Sequence, residues 1–121
     1  MSVAKITKQM ILDAYKKTGL KPKSGAYYYK ANISPGVQEI VECCAAGALF
    51  FNDYDFKKQE RMPDIDDYLN KKYGNYAICG LIYGFDGNGT NKYSDSDTYK
   101  IGEELRQELI IAKQDEVKVE E

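Results

Sequence analysis

The chain alternates between stretches in which apolar residues recur every three or four positions and stretches that are polar and rich in Gly, Asn and Asp. Helical spacing is clear at the start, where Met10, Ile11, Ala14 and Tyr15 share one face. Thr7 is placed to cap this first helix, with Ile6 and Ile11 as a staple. Gly19 stops it after Thr18, and Pro22 prevents its continuation. Residues 25–33 lose the helical period. Gly25 opens the run, and the β-favouring Tyr27, Tyr28 and Tyr29 predict one short extended segment.

Ser34-Pro35-Gly36 reads as the start of a second helix, serine capping and proline in the first turn. Val37, Ile40, Val41, Cys44, Ala48 and Phe51 then follow at helical spacing. The stretch Cys43 to Ala48 is apolar nearly all round, which predicts a central helix. Residues 52–63 read as a polar loop. Asp64 caps a third helix with acids in its first turn, Lys71 and Lys72 in its last, and Gly74 beyond its end. Asn75 caps a fourth, Tyr76 to Phe85. The loop 86–96 follows, and then a fifth helix from Asp97 to Lys113.

Gly80 and Gly84 lie inside the fourth helix, where each costs about 1 kcal/mol relative to alanine. That cost points to a close approach, expected here against the small-residue side of the second helix around Cys44, Gly47 and Ala48. The expected fold is therefore mainly α: a single-domain bundle of about five short helices over residues 1–113, with one extended segment near 25–33. The charged stretch 114–121 is expected to fray as a tail.

Composition narrows the function. At 121 residues, with 30% charged and 43% hydrophobic, the chain is expected to be one globular domain. No uncharged run approaches the ~20 residues a membrane helix needs, and the N-terminus lacks the apolar stretch of a secretory leader. A cytoplasmic location is expected, with Cys43, Cys44 and Cys79 as free thiols. There is no histidine, which removes histidine-based nucleophilic sites, general bases and metal ligands together. Neither a phosphate-binding glycine motif nor a nucleophile elbow is present, so no enzyme activity and no cofactor are expected.

Charge is uneven. Residues 1–36 carry seven lysines against one acid, Asp13, while the remainder carries ten basic and eighteen acidic groups. Within the basic third, Tyr27, Tyr28 and Tyr29 are expected to contact a macromolecular partner, with Lys21, Lys23 and Lys30 as a polar rim. If the tyrosines form an edge strand, a homodimer can pair through it. The same lysines and aromatic faces suit single-stranded nucleic acid as an alternative.

A second candidate site is the loop from Asp86 to Asp97. Against a calcium-binding EF-hand loop, Asp86, Asn88, Thr90, Ser94 and Asp97 fall at positions one, three, five, nine and twelve. Asp86, Asn88, Thr90 and Asp97 are its candidate metal ligands. The loop departs from that pattern with Asn91 at the glycine position and a short aspartate at the last.

Overall fold

The computed structural model describes residues 5–54, 63–87 and 92–112. The chain runs α1 (Lys8–Thr18), β1 (Lys21–Pro22), β2 (Tyr28–Ser34), β3 (Val37–Cys43), α2 (Ala45–Asp53), α3 (Ile65–Tyr73), α4 (Asn75–Asp86) and α5 (Asp97–Arg106). A π-helical turn, Gln107–Ile111, continues α5. Expected residues 114–121 of the tail and most of the loop 52–63 lie outside the described residues.

The sheet overturns the expectation of a helical bundle with one extended segment: this is an α+β fold. Three strands stand in the order β1-β3-β2, with β1 parallel and β2 antiparallel to β3. The error lies at Ser34-Pro35-Gly36, which is a hairpin turn and not a helix start. Ser34 pairs with Val37, leaving Pro35 and Gly36 as the two-residue loop. Proline at the first position and glycine at the second, here with φ 77°, is the sequence a type II turn requires. Val37, Ile40 and Val41 are β-branched and favour the strand that follows. Their spacing happens to match a helix as well.

The helix expected from Pro35 therefore begins only at Ala45. Cys44 is extended and acts as its N-cap, its sulfur accepting from the Gly47 N–H at 3.4 Å. Every residue of α2 from Ala45 to Phe51 is buried, as its apolar circumference demands. The helix touches α1, α3, α4 and β3, and so forms the centre of the molecule.

Other local signals act as read. Thr7 accepts from the Met10 N–H, Gly19 is left-handed at φ 75°, and Asp64 accepts from the Asp67 N–H at 2.9 Å. Asn75 is the first residue of α4 and not its cap; Gly74 takes the flanking position. Gly80 and Gly84 are buried, but the element that approaches them is α5, not α2. A side chain on Gly84 would run into the Tyr99 carbonyl, and one on Gly80 would come within 2.7 Å of Ser96 Oγ and Thr98 Oγ1. Gly102 answers from α5, where an added Cβ would lie 2.6 Å from the Leu81 carbonyl. Missing Cβ atoms on both helices thus permit backbone-level contact. The small residue that α2 contributes, Gly47, receives the Tyr27 carbonyl instead.

Candidate interaction surface

The Tyr/Lys-rich segment forms the base and outer strand of the β2–β3 hairpin. Its tyrosines are not free. Tyr27 is half-buried, and its hydroxyl donates to Asp66 on α3. Burial, and then that hydrogen bond to a carboxylate, push its phenol above the ordinary tyrosine range. Tyr28 meets Phe51 edge-on, ring centroids 5.9 Å apart. The Tyr29 hydroxyl donates to the Ser24 carbonyl at 2.6 Å. Three successive tyrosines therefore anchor the hairpin to α3, α2 and the β1–β2 loop.

The lysines partly cover the same rings. Lys23 Nζ sits 4.4 Å from the Tyr29 centroid and 3.9 Å from Glu42 Oε1. Lys30 Nζ lies 5.9 Å from the Tyr28 centroid. Lys21 is exposed on β1, where it pairs with Glu42 of β3. The structure thus brings all six predicted residues to one end of the sheet.

What projects into solvent is the distal hairpin. Residues 30–39 are all exposed, including Ile33 at 57% and Val37 at 46%. Sequence reasoning missed both, because it placed Val37 in a helix and ended the extended segment at Ile33. The Pro-Gly pair between two β-favouring runs was the available signal. β2 is the outermost strand, and no strand pairs with its outer edge among the described residues. Pairing with β3 is irregular at Tyr29/Lys30 and again at Asn32/Ser34, where Ile33 is the extra residue. On the opposite side, β1 covers β3 only at Glu42 and Cys43, and an open groove lined by Thr18–Lys21 and Glu39–Glu42 runs beside the remainder.

The calcium-loop candidates are divided. Asn88 and Thr90 lie outside the described residues. Asp86 ends α4, and its Oδ1 accepts from the Gly25 N–H at 3.0 Å, which ties the β1–β2 loop to the helices. Asp97 is exposed in the first turn of α5, behind the Ser96 cap. Among the described residues, no three His, Cys, Asp or Glu side chains gather as a metal-binding group.

The thiols are sequestered. Cys43 and Cys44 are buried, and Cys79 is half-buried with Sγ 3.6 Å from Asn75 Oδ1. Burial pushes the Cys44 thiol up to about 11 and raises that of Cys43 further. Thiols held protonated in this way are poor nucleophiles.

An α+β domain with an open hairpin edge is the class that these observations define. The chain matches no protein family, no curated protein and no solved structure. Among the described residues, no helix is long and apolar enough to cross a membrane.

Proposed function

We propose that this chain is a small, non-enzymatic interaction protein of the cytoplasm that engages a macromolecular partner through the outer edge of β2. The observation that carries the reading is a seven-residue strand, Tyr28–Ser34, lying outermost in the sheet with its backbone edge open. Such an edge presents N–H and C=O groups in a row and can accept another strand. Lys30 and the irregularity at Ile33 restrict which strands fit, while Lys23 lies over the Tyr29 ring and Lys21 stands across the sheet on β1. The tyrosines support the edge from behind. With their rings engaged by Phe51, Lys23 and Lys30, they make poor stacking platforms, which disfavours the nucleic-acid alternative.

Two proline variants test the reading. Adjacent strand residues aim their N–H groups at opposite edges. Of Ala31→Pro and Asn32→Pro, one removes a hydrogen bond to β3 and the other blocks only the outer edge. The variant that keeps its melting temperature is the edge-blocked protein. It is expected to lose the partner that the wild-type chain captures from lysate; unchanged capture overturns the reading.

A further inference from the structure

We infer that the occupant of the β2 edge is a second copy of this chain, paired antiparallel about Ala31, so that two three-stranded sheets become one of six strands. The inference rests on the edge-docking reading above and supplies its partner.

Self-pairing of a strand about a two-fold axis normal to the sheet sets one residue against its own copy, and the three central residues offer three registers. Centring on Lys30 sets two ammonium groups directly opposite, which is unfavourable. It also shortens the paired length to five residues, 28–32, as centring on Asn32 does with 30–34. Centring on Ala31 uses all seven residues of β2. It places the smallest side chain of the strand at the axis. Lys30 then faces Asn32 of the second copy, and Tyr29 comes level with the bulged Ile33, an aromatic to β-branched contact of the kind that stabilises antiparallel ladders.

This arrangement also accounts for the exposure of Ile33, one of the three large hydrophobic side chains exposed among the described residues. The antiparallel register lays each hairpin tip beside the other copy's base, so Ile33 approaches the Tyr28–Tyr29 end, while Val37 stands one strand behind, beside Ser34. Glu39 pairs with Ala31 inside each sheet, so the two copies of Glu39 are separated by both alanines across the join. No two like charges stand directly opposite at the new seam.

One strand edge buries less than a standard interface, so the dimer is weak, with a dissociation constant on the order of ten micromolar. Sedimentation velocity on the full chain is expected to move from monomer toward dimer as concentration rises from ~1 to ~300 micromolar. The edge-blocked proline variant should remain monomeric throughout. Register is read by disulfide trapping in a Cys79→Ser background. Ala31→Cys is expected to cross-link with itself at least about tenfold faster than Lys30→Cys or Asn32→Cys alone, because directly opposite residues meet the Cα spacing a disulfide needs. Lys30→Cys mixed with Asn32→Cys should cross-link as fast as Ala31→Cys. A wild-type chain that stays monomeric at every concentration overturns the inference. So does a dimer indifferent to the proline, or faster trapping at Lys30 than at Ala31. If the chain is monomeric while capture from lysate still depends on the edge, the partner is another protein and the edge-docking reading stands; if both fail, neither survives.

Discussion

Gly84 and Gly19 are the same residue type under opposite demands. Gly84 has ordinary helical backbone, but a Cβ there would collide with the Tyr99 carbonyl of α5. Gly19 has open space around it and a left-handed φ of 75°. Alanine at Gly84 must therefore push two helices apart, costing about 2–4 kcal/mol as overpacking in a core does. Alanine at Gly19 meets only the left-handed backbone penalty, about 1–2 kcal/mol. Urea unfolding of the two variants should rank them in that order, and equal midpoints would mean that α4 and α5 are not in backbone contact. Tyr15 offers a second test at this scale. Its buried hydroxyl donates to the Cys43 carbonyl at 2.9 Å, joining α1 to the last residue of β3. Tyr15→Phe leaves that carbonyl without its side-chain donor and is expected to cost about 1–3 kcal/mol by denaturant melting.

At the scale of elements, the hairpin turn is the decisive feature. Gly36 has φ 77° and no neighbour that an added Cβ would meet. Gly36→Val is therefore a backbone test: valine is strained there, and the strands it joins have little core burial at their tips. The expected result is faster amide exchange confined to residues 30–40, with the protection of α2 and α4 unchanged. Equal loss of protection in α2 would show the hairpin and the helices unfolding as one unit.

The same turn shows where the sequence was legible. Thr7, Asp64 and the glycines after α1 and α3 are local signals, decided by a few neighbouring atoms, and they act where they were read. Val37, Ile40 and Val41 satisfy a helical period and a β-rich run equally well, so spacing alone could not separate the two. Gly36 settles the matter through a positive φ, a property of the turn and not of the periodicity. The Gly80/Gly84 approach was legible as a demand for closeness. The identity of the partner helix was not, because α2 and α5 both offer small residues, Gly47 and Gly102, and only the tertiary arrangement chooses between them. At the candidate site, the structure makes the three tyrosines anchors of the hairpin. The strand edge beside them belongs to a pairing that the helical reading of Ser34 onward had removed.

The whole molecule encloses acidic groups that it must keep neutral. Burial is the largest cause raising the Cys44 thiol to about 11, and it also raises Cys43 and the Tyr15 phenol. These groups sit together where α1, β3 and the start of α2 meet. In the unfolded chain a thiol ionises near its ordinary value of 9.0, while folded Cys44 stays protonated to about 11. Between those values the unfolded state binds fewer protons than the folded state, so stability falls as pH rises. The contribution is fully present below pH 9 and is lost on the way to pH 11. For Cys44 alone this amounts to roughly 2–3 kcal/mol, and Cys43 and Tyr15 add losses of the same sign. A domain of this size holds only about 5–15 kcal/mol in total, so its melting temperature should fall steeply above pH 9. Cys44→Ala removes one titrating group together with a weak cap. It is expected to lower stability at pH 7 and to flatten the decline between pH 9 and 11. A melting temperature level across that range in the wild-type chain would mean that water reaches the thiols, and that the junction of α1, β3 and α2 is less tightly closed than its burial implies.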